Sequence, residues 1–210
     1  MIIALICIAL FSYLLGSLNF GVILSKAKGE DVREKGSGNA GTTNMLRNYG
    51  KGMASLTIMG DMLKVVIAIL VSVFVCKKLE IINDWQSMPM EMLIKCLSGF
   101  FCVLGHIFPC FFGFKGGKGV ATSGGMVFMI DWRIGLILLA IFIIVVIATK
   151  YVSLGSLIIA ALYPILIYAF HQDILATLIA LVFTAIVFVA HRENIKKLKN
   201  HTENKISLKK

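Results

Sequence analysis

Residues 134–149 read IGLILLAIFIIVVIAT, a stretch without a charged side chain. Residues 2–25 also lack charge, and residues 65–76 are almost wholly aliphatic or aromatic. A helix that crosses the roughly 30 Å of bilayer hydrocarbon needs about 20 mainly apolar residues. In the 210-residue chain 58% of the residues are hydrophobic, above the roughly 45–50% of globular domains. We therefore predict an all-α protein, a polytopic membrane helical bundle that forms a single domain over residues 1–210.

Seven apolar segments are the predicted spans: 2–25, 53–76, 92–108, 118–130, 134–149, 152–170 and 174–190. The fourth is short and contains three glycines, which also fits a re-entrant helix. If residues 118–149 do not span, five crossings remain. The first segment lacks the basic start and the small-residue cleavage site of a signal peptide, which favours an uncleaved span.

The basic residues predict the topology, because cytoplasmic loops carry an excess of Lys and Arg. With the N-terminus outside and seven crossings, sixteen of these residues fall on the inner side and three on the outer side. Five crossings keep this arrangement, whereas six would place the basic tail outside. We expect an external N-terminus and a cytoplasmic C-terminus. The net charge of +10 is then explained by topology and by anionic ligands or lipids, not by nucleic acid.

A glycine-rich segment follows the first span: residues 36–47 read GSGNAGTTNMLR. Glycines let backbone N–H groups turn toward an anion, Asn and Thr add neutral donors, and an arginine offers a planar fork to phosphate. The alternative is a flexible connecting loop. The candidate substrate-binding residues are Gly36, Gly38, Asn39, Thr43, Asn44 and Arg47.

A second polar segment lies between the third and fourth predicted spans. It reads GHIFP at 105–109 and FKGGKGVAT at 114–122, and it lacks the glycine and the Ser or Thr of a nucleotide-binding P-loop. Two lysines among glycines at a helix start favour an anion site, against the alternative of a basic turn that only sets topology. The candidate substrate-binding residues are His106, Lys115, Gly116, Gly117, Lys118 and Gly119.

Further polar residues stand at or inside the spans. His191 and Asn194, where the last span ends, share a helix face in the sequence HRENI, although a histidine there is often only a polar boundary residue. Asp61 and Lys64 lie in an apolar span, where they either serve a site or neutralise each other. The five cysteines form no CxxC pair, which indicates inert thiols and no metal cluster.

These segments together resemble the bacterial acyl-phosphate-dependent glycerol-3-phosphate acyltransferases. The resemblance covers the whole chain through GSGNAGTTNMLR, GHIFP, FKGGKGVAT and HRENI, with Asp61-Met-Leu-Lys64 and VSLGS at 152–156 in the same order. Asn19 and His201 depart from the family pattern, and the second departure weakens any role for Glu203. The HxxxxD pair of thioester-using acyltransferases is absent from the sequence, which argues against acyl-CoA.

The resemblance implies acyl transfer from acyl phosphate to the 1-hydroxyl of sn-glycerol 3-phosphate, with lysophosphatidic acid and phosphate as products. This is the first acylation step of phospholipid synthesis, at the cytoplasmic face of the bacterial inner membrane, without cofactor, CoA or metal. The alternative function is a membrane transporter of organic phosphates.

Within the implied reaction, Ser37, His191 and Asn194 are the predicted catalytic residues. Ser37 is a hydrogen-bond donor to the reacting carbonyl or to the attacking hydroxyl, or else an acylated nucleophile. His191 is the candidate base or phosphate ligand, with Asn194 orienting it or the substrate. The two glycine-rich segments each hold one phosphate, and the sequence does not assign which.

Overall fold

The structure, a computed structural model, describes residues 1–82 and 88–206. The regular secondary structure of these ranges is helical, which confirms the predicted all-α class. Lys209 and Lys210, which contribute to the predicted inner charge, lie outside the described residues. The described helices are α1 (Ile2–Gly16), α2 (Phe20–Lys26), α3 (Thr42–Lys78), α4 (Met88–Ile107), α5 (Val120–Ile130), α6 (Trp132–Thr149), α7 (Val152–His171), α8 (Ile174–Ala190) and α9 (Arg192–Lys199).

Five stretches of the described chain are long and apolar enough to cross a membrane, or six if α8 and α9, bent by 61°, count as one span. They include α1 with α2, α3, α4, α6 and α7. The first is broken at residues 17–19, where the buried Asn19 side chain accepts a hydrogen bond from Val22 N and caps α2. Helix α3 is bent at Gly50, whose φ of 80° is outside the helical region.

Helix α5 differs most from its prediction. It contains 11 residues and is therefore about 16 Å long, about half of the hydrocarbon thickness. Helix α6, which follows it, does have a spanning length. The count of seven spans is not confirmed, and it stays a prediction together with the orientation of the termini.

The chain divides into two compact units, Met1–Ile130 and Asp131–Lys210. In the first unit α1 packs on α4, both contact α3, and α5 packs on α3 and α4. Helices α1 and α4 approach closely because Gly16 and Gly105 have no side chain: a Cβ at Gly16 would overlap the Cys102 backbone. In the second unit α7 packs between α6 and α8. The prediction of a single domain stays a prediction.

Candidate active site

The first polar segment forms a loop, residues 27–41, which we call the serine loop. Its organiser is the buried side chain of Asn44, in the first turn of α3. The amide nitrogen of Asn44 lies within 3.0 Å of three loop carbonyl oxygens, those of Val32, Lys35 and Asn39. Its oxygen accepts hydrogen bonds from Ser37 N at 3.1 Å and from the Asn48 amide at 2.9 Å. These contacts fix the backbone that carries Ser37.

Gly36 precedes Ser37 in a left-handed conformation, with φ of 56°. A Cβ at this position would come within 2.7 Å of both the Asn44 oxygen and the Asn48 amide nitrogen. The glycine is therefore required by the tight wrapping of the loop around Asn44. Ser37 itself is exposed, as are Gly36 and Gly38.

The second polar segment forms the lysine loop, residues 108–119. It folds back onto the end of α4, where Gly116 N donates to Ile107 O and Gly117 N donates to His106 O, each at 3.1 Å. These bonds satisfy carbonyl groups of the last helical turn. Side chains at Gly116 and Gly117 would overlap the His106 carbonyl and ring, respectively. Because both amides are engaged, the predicted phosphate contact depends on the lysine side chains and the start of α5.

Each loop leads directly into a helix. The serine loop is followed directly by α3, which begins at Thr42, and the lysine loop by α5, which begins at Val120. Helix starts carry partial positive charge and unpaired N–H groups, which favour anions. Anion binding where each loop enters its helix stays a prediction. Arg47 lies one helical turn beyond Thr43 and is exposed, Lys115 is exposed, and Lys118 is half-buried.

The two loops of the first unit contact each other through Arg33. Arg33 Nη1 donates to the carbonyl oxygens of Phe112 at 2.7 Å and Lys115 at 3.1 Å. The structure thus brings together two glycine-rich segments about 80 residues apart in the sequence. In the sequence, Arg33 is only one of the basic residues that predict the topology, and no local pattern indicates its long-range partners.

The membrane-buried charges form a closed group beneath the lysine loop. Lys64 Nζ lies 2.9 Å from Asp61 Oδ1, from the Leu18 carbonyl oxygen and from His106 Nδ1. The side chains of Asp61, Lys64 and His106 are 1–3% exposed. This group connects the break between α1 and α2 with α3 and α4, which favours the mutual-neutralisation alternative for Asp61 and Lys64. Direct substrate binding by the buried His106 stays a prediction.

In the second unit, His191 lies at the α8–α9 bend and is 2% exposed. Its Nδ1 is 2.8 Å from the Val187 carbonyl oxygen, which only accepts, so Nδ1 carries the proton in the neutral ring. The Asn194 amide donates to Glu203 Oε1 at 2.9 Å, and Ser153 Oγ donates to the same oxygen at 3.0 Å. Glu203 therefore connects α9 with the start of α7.

The fold defines a class: a multi-pass membrane protein whose first unit presents an exposed serine and two glycine-rich loops that each lead into a helix start. A glycerol-3-phosphate acyltransferase family model matches residues 6–201. The chain belongs to this family and is an acyltransferase of the membrane.

Named relatives and solved structures agree with the family. The glycerol-3-phosphate acyltransferase of Clostridioides difficile is 42% identical over 98% of this chain and 97% of its own length, and that of Geobacter sulfurreducens is 40% identical over 92% and 93%. A crystal structure of PlsY, an integral membrane glycerol 3-phosphate acyltransferase in its glycerol 3-phosphate form, matches with a TM-score of 0.84. It is 33% identical over 97% of this chain and 96% of that chain, and the lysophosphatidic acid form gives 0.81.

Proposed function

We propose that the protein transfers an acyl group from acyl phosphate to the 1-hydroxyl of sn-glycerol 3-phosphate and releases lysophosphatidic acid and inorganic phosphate. The observation that carries this proposal is the contact between two glycine-rich loops, each leading into a helix start with nearby cationic side chains. Two phosphate-bearing substrates need two anion sites. Glycerol 3-phosphate and lysophosphatidic acid forms of the PlsY structure support the acceptor and the product.

The donor is already activated, so the residues mainly position the substrates and stabilise developing charge. In a direct transfer, the hydroxyl oxygen of glycerol 3-phosphate bonds to the acyl carbonyl carbon, and the bond from that carbon to the phosphate oxygen breaks. Ser37 donates a hydrogen bond to the reacting carbonyl. His191 is the candidate base for the hydroxyl proton, and the electron pair of the broken bond leaves with phosphate.

Phosphate recognition is divided between the loops. Lys115, Lys118 and the start of α5 hold one phosphate, while Arg47 and Thr43 hold the other, together with glycine amides of the serine loop. Asn44 contributes by shaping that loop, and Asn39 and Gly38 line it. Asn194, fixed by Glu203, orients His191 or its substrate.

We place the reaction at the cytoplasmic face of the bacterial inner membrane. The excess of Lys and Arg in the segments 26–52, 115–118 and 191–206 supports this side, because cytoplasmic loops are rich in these residues. The substrates also fit it, since acyl phosphate is a membrane-associated lipid and glycerol 3-phosphate is a soluble cytosolic anion. No CoA, cofactor, metal or nucleic acid is required.

The test is acyl transfer by the purified protein, given acyl phosphate and glycerol 3-phosphate with a chelator and without CoA. Lysophosphatidic acid and phosphate should form in equal amounts. Glycerol 3-phosphate binding without product would contradict the proposal and favour the transporter of organic phosphates. Product only with acyl-CoA would assign a different donor.

A further inference from the structure

Arg33 uses its three guanidinium nitrogens in two directions. Nε and Nη2 form a fork to the Asp31 carboxylate, at 3.0 Å and 2.7 Å. Nη1 points away from this pair and donates to the carbonyl oxygens of Phe112 and Lys115, two backbone groups of the lysine loop. We call these last two hydrogen bonds the Arg33 bridge.

The local sequence fixes the arginine before the bridge forms. Asp31 Oδ1 accepts from Arg33 N at 2.9 Å and thereby caps a short 3-10 turn, Val32–Glu34. Val32 is fully buried in an apolar cluster, against which Phe112 of the lysine loop also packs. The bridge therefore lies above an apolar contact between the same two loops.

The lysine loop needs support where the bridge binds. Gly113 and Phe114 both have positive φ, 65° and 57°, and Phe114 has a Cβ that makes this conformation costly. The carbonyls of Phe112 and Lys115 flank these two residues. A donor that binds both carbonyls therefore holds the turn at its two ends, and it fixes the backbone of Lys115, whose side chain is a proposed phosphate ligand.

The charge of Arg33 does not serve the phosphate. The Arg33 guanidinium, hydrogen-bonded to Asp31, holds the pKa of that carboxyl below its ordinary value, so the two groups form a neutral pair. Both side chains are part-buried, 21% and 15% exposed. The charge of Arg33 is therefore paired with Asp31, and its remaining donor, Nη1, binds backbone carbonyl groups.

We propose that Arg33 is a positioning residue that holds the lysine loop against the serine loop and so sets where Lys115 and Lys118 place their charges. The proposal rests on the proposed function for its kinetic consequence only. The placement of the loop itself can be tested without turnover.

The first experiment measures amide hydrogen exchange of the full chain in detergent. In Arg33→Gln, exchange in peptides covering 110–119 should rise about tenfold, because two hydrogen bonds to a charged donor are lost. Arg33→Lys keeps the charge but lacks the fork, so it should show a smaller increase, and it carries the test if Arg33→Gln does not fold. The matched control is Arg133→Gln, which removes an arginine from the same local motif in the second unit. Unchanged exchange at 110–119 in both Arg33 variants would overturn the proposal.

The second experiment compares substrate dependence. The substrate whose KM rises in Lys118→Ala should show a KM raised about fivefold in Arg33→Gln, with kcat changed less, because the bridge acts through the lysines. Arg133→Gln should keep wild-type kinetics. A fall in kcat alone, or a KM change for the other substrate, would contradict positioning through the lysine loop. If the wild-type protein makes no product, the proposed function fails while the exchange measurement still decides the role of Arg33.

Discussion

The chain contains the same three-residue motif twice, Asp31-Val-Arg33 and Asp131-Trp-Arg133. In both copies the aspartate accepts from the backbone nitrogen of the arginine at 2.9 Å and from its Nε at 3.0 Å, at the start of a helical turn. The two copies differ in what lies beyond this fork.

In the serine loop, Arg33 extends to two carbonyls of a distant loop, whereas Arg133 lies over the Phe170 ring at 5.0 Å. The second oxygen of Asp131 accepts from Arg133 Nη2 at 2.6 Å and also lies 3.1 Å from His171 Nε2. The motif thus forms the same local hydrogen bonds in both places. The residues around it determine whether the arginine also binds a second loop, as Arg33 does, or lies over an aromatic ring, as Arg133 does. The variants below act on this difference.

The largest expected effect concerns Ser37, which lies in the same loop as the first copy. Ser37→Ala should lower kcat about a hundredfold, the order seen when one donor to a developing oxyanion is removed. Substrate binding should fall less, which steady-state kinetics and a phosphate-binding measurement separate. Equal losses in turnover and in binding would make Ser37 a binding residue. An acyl group trapped on Ser37 would overturn direct transfer.

Lys118→Ala should act on the loop that Arg33 contacts. We expect the KM for one substrate to rise about tenfold, because a charge-assisted contact to phosphate is lost. The ratio of variant to wild-type KM should shrink at high salt, which screens the attraction of Lys118 for phosphate in the wild-type protein. Wild-type saturation kinetics in this variant would remove Lys118 from the site.

Asp31→Asn and Asp131→Asn compare the two copies directly. Loss of the Asp31 carboxylate releases the fork and should raise the same KM about fivefold. Asp131→Asn should leave the KM values unchanged. Equal effects of the two substitutions on kinetics would show that the copies have equivalent roles, against the comparison.

The smallest effect is a pH dependence in the second copy. The Arg133 guanidinium, hydrogen-bonded to Asp131, lowers the pKa of that carboxyl to about 2. A depressed pKa stabilises the folded state above the unfolded pKa of about 3.9, and this contribution is lost as the pH falls toward 2. Unfolding in detergent should therefore show about 1 kcal/mol of acid destabilisation that is missing from Asp131→Asn, a magnitude reduced for solvent screening. Identical pH profiles would contradict the assignment.

The sequence predicts the apolar helices well, since a crossing helix needs about 20 mainly apolar residues. The path of residues 118–133 is harder to predict from the sequence, because its glycine and apolar residues fit both a full span and an 11-residue helix. The loops that hold the candidate ligands are also visible from glycine and lysine spacing.

The roles that the sequence does not reveal are those that depend on tertiary hydrogen bonds. Asn44 has a side-chain amide that could bind a substrate, yet this amide forms hydrogen bonds with the backbone of the serine loop. The amides of Gly116 and Gly117 bind the end of α4. The partners of Arg33 are backbone carbonyls, which carry no sequence signal.

The proposed reaction requires the lysine loop and the His191 segment to lie on the same, cytoplasmic side of the membrane. Single cysteines at Lys115 and Glu193, both exposed, can be placed in a protein whose native cysteines are replaced and labelled in intact cells with a membrane-impermeant maleimide. This shared location predicts that both positions are protected in intact cells and become labelled after the cells are opened. Labelling of one position from outside while the other stays protected would contradict it.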